Sequence, residues 1–199
     1  MPEDVILVEK RGKIAVLSLN RPPLNPLSSA VFRKLDQVIS ELEADSEIRA
    51  VIITGSGEKA FAAGVDITEI TKFSPVEMYD FNCMALSVFT KFENMNKPTI
   101  AAINGLALGG GYELALTCDF RIAGESAKFA QPEINLGIIP GGGATQRLSR
   151  LIGVARAKEL LFLGDTIDAK TAEQYGMVNK VVPDSKLMET AEEMARRLA

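Results

Sequence analysis

The stretch from Pro98 to Arg121 constrains this chain most. It reads PTIAAINGLALGGGYELALTCDFR. An apolar run, Thr99–Ile103, leads to three successive glycines, Gly109, Gly110 and Gly111, and a helical pattern opens at once. A strand that runs into a glycine turn and then a helix belongs to an α/β arrangement. Glycines at a helix entrance let a ligand lie directly on backbone N–H groups. Glu113 follows within the first turn. Such N–H groups can stabilise an oxyanion. An acid held beside them suggests proton transfer next to a carbonyl rather than simple anion binding.

The flanking sequence repeats the alternation of strand and helix. Val5–Val8 and Ile14–Leu19 read as strands around Lys10-Arg11-Gly12-Lys13, a hairpin. Pro22-Pro23-Leu24-Asn25-Pro26 is a turn, because prolines forbid regular pairing there. Ser28 or Ser29 caps a helix whose Val31, Leu35, Val38, Ile39 and Leu42 recur at helical spacing. Ala50–Thr54 is a short buried strand. Ser74-Pro75-Val76-Glu77 is a capping box with proline at the first helical position, opening a helix to about Asn94. Thr99–Ile103, Phe120–Ala123 and Val178–Val182 read as strands; Gly110–Cys118, Gly143–Ile152 and Ala155–Leu163 read as helices. Asp168 caps a helix that ends at Gly176, and Asp184 caps a last one still running at Ala199. The expectation is one α/β domain over residues 1–199.

Composition narrows the chemistry. The chain has 199 residues, 47% of them hydrophobic, enough for a sizeable core, and a net charge of −4, which argues against nucleic acid. There is no histidine. That removes Ser-His-Asp and Cys-His nucleophile systems and histidine-based metal sites, and leaves acid–base work to Asp, Glu, Lys, Tyr or Cys. Cys83 and Cys118 form no disulfide framework; two reduced, largely buried thiols in a cytoplasmic protein are expected. The start, Met1-Pro2-Glu3-Asp4, is acidic where a secretory signal would be basic. Thr99–Leu116 is interrupted by Asn104, Glu113 and several glycines and makes a poor membrane span.

Several segments invite more than one reading. Gly55-Ser56-Gly57-Glu58-Lys59-Ala60 nominally fits a dinucleotide fingerprint, but no amphipathic helix follows, so it reads as a turn. Ala62–Asp66 is either a tight turn of small residues or a loop that offers an N–H to a carbonyl oxygen. Glu113 could be a solvated glutamate at a helix start, but its neighbours are apolar, and a buried carboxylate is costly without a purpose. Glu133, after Gln131-Pro132, reads by itself as another helix-start glutamate. Gly141-Gly142-Gly143 opens a helix carrying Gln146 and Arg147, and Arg147 is expected to form a structural ion pair.

Three segments together carry a resemblance: Lys59–Ile67 (KAFAAGVDI), the central glycine stretch, and Gln131–Leu148 (QPEINLGIIPGGGATQRL). In this order and spacing they resemble the enoyl-CoA hydratase, or crotonase, family, from about Val5 to the last residue. The resemblance implies a crotonase-like spiral of repeated β-β-α units. It implies an oxyanion hole from the N–H groups of Val65 and Gly110, and catalytic carboxylates at Glu113 and Glu133, twenty residues apart in sequence. It implies an acyl-CoA site drawing on Leu24, Ala63, Val65, Asp66, Ile67, Gly109, Gly110, Pro140 and Gly141, with the adenine end near Leu24, Ala63 and Ile67. Valine at position 65 departs from the alanine common in the family; a backbone donor tolerates it, while its branching stiffens the loop.

The activity so implied is addition of water across the 2,3 double bond of a 2-enoyl-CoA thioester. No metal or redox cofactor is expected, since coenzyme A arrives with the substrate. Enoyl-CoA isomerisation is the nearest alternative. RNA binding, known in one branch of the family, is disfavoured by Asp36, Glu41, Glu43, Asp45 and Glu47 against Arg33, Lys34 and Arg49. A non-catalytic scaffold is disfavoured by the two glutamates. Family chains carry further C-terminal helices that build homotrimers or dimers of trimers; these are expected to be missing here, leaving the apolar Leu187, Ala191, Met194 and Leu198 in need of cover.

Overall fold

The computed structural model describes residues 4–199. Its first strands form the expected hairpin, with a tighter turn than the charged run suggests. Strand β1 (Ile6–Arg11) pairs antiparallel with β2 (Ile14–Leu19), and Arg11 lies opposite Ile14, so only Gly12 and Lys13 turn the chain. Gly12 has φ +62°, as short hairpin turns require. Helix α1 (Ser29–Ala44) follows, with Ser28 as its cap and the predicted apolar stripe buried.

The chain then winds in repeated units of two strands and a helical segment. Strands β3 (Ala50–Gly55) and β4 (Ala60–Ala63) precede α2 (Ile67–Ile70) and α3 (Pro75–Glu93). Strands β5 (Thr99–Ile103) and β6 (Leu106–Leu108) precede α4 (Gly110–Leu116). Strands β7 (Phe120–Gly124) and β8 (Lys128–Ala130) precede a 3₁₀ turn, Pro132–Leu136, then α5 (Ala144–Ile152) and α6 (Val154–Leu163). Strand β9 (Ile167–Asp168), α7 (Ala169–Tyr175), β10 (Lys180–Val182) and α8 (Leu187–Leu198) complete the described chain. The first strand of each unit joins a six-stranded sheet of order β1-β2-β3-β5-β7-β10; the second joins a four-stranded sheet of order β4-β6-β8-β9. Pairing is parallel between units, β3 with β5, β5 with β7, β4 with β6 and β6 with β8. This is the β-β-α spiral.

The central strands of the large sheet are buried on both faces, which is why β3 and β5 read as unbroken apolar runs. Along β3, Val51 and Ile53 enter the main core, while Ala50 and Ile52 face the opposite side. That second side is covered by α8, through Leu187, Ala191 and Ala195. The apolar stripe of the last helix therefore finds its cover on this chain's own sheet, with Met194 half-buried against it; only Leu198 of the predicted stripe is exposed. Asp184 does not cap that helix. Residues Asp184–Lys186 form a 3₁₀ turn, and the Asp184 carboxylate accepts the N–H of Ser126 instead. The last strand is also shorter than Val178–Val182, because Val178 turns into the core. Cys118 is buried as expected, but Cys83 is exposed, since α3 buries Phe81, Ala85, Val88, Phe89 and Phe92 and turns Cys83 outward. Among the described residues, no helix is long and apolar enough to cross a membrane.

Candidate active site

Three glycine positions bring the site together. Helix α4 lies directly on strand β4: a side chain at Gly111 would overlap the Ala62 carbonyl. A Cβ at Gly110 would sit 3.2 Å from Val65 Cγ1 and 3.7 Å from Val65 N, so the α4 entrance and the loop after β4 lie side by side. Among the described residues, the N–H groups of Val65 and Gly110 donate to no protein acceptor. Gly109 takes φ +48°, and a Cβ there would lie 2.9 Å from Glu133 Oε1, so the Glu133 carboxylate rests over this turn.

Glu113 is 3% exposed. Its Oε2 accepts the N–H of Gly142 and its Oε1 the N–H of Ala144, both at 2.9 Å. A side chain at Gly142 would collide with this carboxylate and with Phe89, so the glycine run after Pro140 lets the loop close over Glu113. Arg147 pins that loop. Its Nη1 donates to the Gly142 carbonyl at 2.7 Å, and its Nε and Nη2 grip the Glu93 carboxylate at 2.9 and 2.6 Å. The expected structural ion pair of Arg147 is therefore with Glu93, and it also sets the donors that Glu113 uses.

The two carboxyl groups are tuned differently. Burial raises the Glu113 pKa, while the N–H groups of Ala144 and Gly142 and the charge of Arg147 oppose that rise. Glu133 lies at the start of the Pro132–Leu136 turn and is half-buried. Burial pushes its carboxyl up to about 7, opposed by a backbone hydrogen bond and aided to a lesser degree by the nearby Glu113. Gln131, 1% exposed, adjoins it: with its amide nitrogen turned to the carboxylate, it donates to both oxygens of Glu133 at 3.1 Å. Gln131 was not singled out as functional from sequence. Its only signal there is a polar residue closing an apolar strand just before Pro132-Glu133.

These groups face one cavity of about 820 Å³. Glu113, Glu133, Val65, Gly109 and Gly110 line it. So do Ala63, Ile67, Pro140 and Gly141 from the sequence-derived set. Its inner part is apolar, with Phe32, Phe81 and Phe89 packed edge to face at ring separations of 5.5 Å. Two expected residues stand apart from it. Leu24 is exposed and accepts the Ala63 N–H on its backbone carbonyl. Asp66 is occupied structurally: it caps α2 through the Thr68 N–H at 3.1 Å, accepts the Thr68 hydroxyl at 2.6 Å, and pairs with Arg21 at 2.8 Å. The Thr68 hydrogen bond and then the Arg21 contact hold its carboxyl below the usual range against burial.

A family model described as Enoyl-CoA hydratase/isomerase matches residues 9–199. The chain belongs to the enoyl-CoA hydratase/isomerase family. It is 50% identical over 194 residues to the short-chain-enoyl-CoA hydratase of Clostridium acetobutylicum, covering 97% of this chain and 74% of that protein. It is 45% identical over 199 residues to the crotonyl-CoA hydratase of Syntrophomonas wolfei, covering all of this chain and 76% of that protein. A crystal structure of an enoyl-CoA hydratase from Bacillus anthracis superposes with a TM-score of 0.95 at 44% identity, covering 98% of this chain and 76% of that one. The spiral of two sheets is thus the crotonase fold. Within this family frame, the cavity joins the two glutamates to a pair of N–H groups on neighbouring backbones.

Proposed function

We propose that this chain hydrates a 2-enoyl-CoA thioester to the 3-hydroxyacyl-CoA. The observation that carries the reading is the convergence of two differently tuned carboxyls, Glu113 and Glu133, on an apolar cavity beside the N–H groups of Val65 and Gly110. The thioester oxygen accepts both N–H groups. Negative charge that builds on this oxygen as water attacks is stabilised more than the neutral carbonyl, as catalysis requires. Polarisation makes the β-carbon electrophilic.

Glu113 and Glu133 hold one water between them. Glu113, each of whose oxygens accepts one backbone N–H that favours its ionised form, takes a proton from that water as its oxygen bonds the β-carbon. Glu133, with its carboxyl pushed up to about 7, is partly protonated at neutral pH, and its protonated form delivers the proton to the α-carbon. In reverse, the same groups exchange roles and water is expelled. The steps use only these groups and the substrate's own coenzyme A, so the reading needs no resident metal or redox cofactor.

The substrate's ends are assigned by the character of the walls. The Phe32, Phe81 and Phe89 cluster supports a short acyl chain, and the relative from Clostridium acetobutylicum carries the short-chain name. Ala63 and the exposed Ile67, both in the cavity lining, supply an apolar rest for the adenine end, with the exposed Leu24 next to Ala63 but outside the lining. The test is hydration of 2-enoyl-CoA esters of increasing chain length, followed by loss of enoyl absorbance and by product identification. A 3-hydroxyacyl-CoA product, fastest with the shortest chains, supports the reading. A shifted double bond without water addition would replace it with isomerisation.

A further inference from the structure

A second cavity, of about 500 Å³, lies where the ends of α3, α4 and α5 meet β7, and shares no lining residue with the first. Three arginines face it, Arg121, Arg147 and Arg150, with a single carboxylate, Glu93. Arg147 already holds Glu93 through two hydrogen bonds. Arg121 and Arg150 take part in no ion pair among the described residues.

Arg121 is the unusual one. It is 7% exposed, yet it is held only by neutral carbonyls: Nε donates to Met177 O at 3.0 Å and Nη1 to Cys118 O at 2.6 Å. Its Nη2 donates to no protein acceptor among the described residues. The nearest acid in sequence, Asp119, is turned the other way and accepts the Thr99 N–H and hydroxyl. The Cys118 thiol on the same wall is buried and stays neutral. The carbonyls of Cys118, just after α4, and Met177, just after α7, explain why an arginine is tolerated here, but they do not neutralise a mostly buried guanidinium with two more arginines across the cavity. Half of a planar donor fork is left facing an open, positively charged space, the arrangement that takes a carboxylate or phosphate group.

We propose that this cavity binds an oxyanion, a carboxylate or phosphate group, between Arg121 and Arg150. Two sources share that chemistry: a small free anion, or an acidic side chain of a second copy of this chain. Either would neutralise the excess charge without disturbing the Arg147–Glu93 pair.

The test titrates inorganic phosphate against chloride at matched ionic strength, reading thermal stability of the full chain. The native chain and Arg150→Gln are compared. Arg150 lies on the exposed side of α5, so this substitution leaves the fold and the hydration site in place. A saturable stabilisation by phosphate, weakened about tenfold or more in Arg150→Gln, is expected. Sedimentation of the same samples separates the sources. Stabilisation of an unchanged species identifies a free anion; release of subunits as phosphate saturates identifies a displaced acidic side chain. No saturable effect beyond chloride, or an identical response in Arg150→Gln, overturns the proposal. Enoyl-CoA hydration is not the readout, so failure here leaves the activity reading untouched, and failure of that reading leaves this test intact.

Discussion

Replacing Glu133 by Gln should remove activity and add stability at the same time, with a pH dependence that identifies the cause. A positioned general acid contributes about 10²–10⁴-fold, so hydration should fall by that range in a correctly folded Glu133→Gln. The stability effect follows from the carboxyl being pushed from 4.5 to about 7 by burial and by Glu113. Between those values the folded chain holds a proton that the unfolded chain has lost. Stability therefore falls as pH rises from about 4.5 to about 7, and stays lower above that. The full shift corresponds to about 3 kcal/mol. Glu133 is only half-buried and Gln131 can donate to its ionised form, so about 1–2 kcal/mol is the realistic size. Glutamine does not titrate. The variant should gain on the native chain by roughly 2–8 °C in melting temperature at pH 8, and by nothing near pH 4.5. Hydration by the native chain should also decline as pH passes through about 7, where Glu133 loses the proton it delivers. Paired melts at pH 4.5 and 8, with crotonyl-CoA turnover at neutral pH, check all of this. Near-normal turnover, or a stability difference that is the same at both pH values, would refute the assignment of Glu133 as a raised-pKa acid.

Glu113→Gln should lose activity on the same scale but lose stability too, by about 1–3 kcal/mol, because one of the Gly142 and Ala144 donors would then face an amide NH₂; denaturant titration against the Glu133 variant reads the opposite signs. Gly110→Pro should cost roughly 10²–10³-fold in turnover by deleting an N–H, while Val65→Ala keeps its N–H and most of the activity; with folding verified by circular dichroism, the reverse order in turnover assays would remove the backbone-donor assignment. Phe81→Leu should raise the relative kcat/KM for longer enoyl chains by opening the aromatic end of the cavity, at a stability cost of about 1 kcal/mol; an unchanged chain-length profile would count against that end as the acyl limit.

Local chemistry explains what could be read from the chain alone. Helix α1 was legible because Val31, Leu35, Val38, Ile39 and Leu42 recur at its period after a serine cap, and α3 because Ser74 and Glu77 make a capping box. The apolar runs of β3 and β5 were legible because both their faces are buried. The glycine run at Gly109–Gly111 and its glutamate marked the site, since few other sequences bring N–H groups and an acid to one turn. The strands of the small sheet were not legible. Ala60–Ala63, Leu106–Leu108 and Lys128–Ala130 are too short and too small-sided for a period to emerge, and each exists because equivalent strands of neighbouring turns lie beside it. The same distance in sequence hid the tuning of the carboxyls. That Arg147 grips Glu93 and the Gly142 loop, that this loop feeds two donors to Glu113, and that Gln131 flanks a glutamate pushed toward neutrality all depend on contacts between separate turns of the spiral. Asp184 shows the converse: a sound cap by its local sequence, it was taken by Ser126, because a partner across the fold satisfied it first. Residue types and local periodicity determined which groups were available. Only tertiary packing decided which of them are dry, which are paired, and which are pushed toward protonation near neutral pH, because desolvation and charge depend on neighbours that the chain order does not reveal.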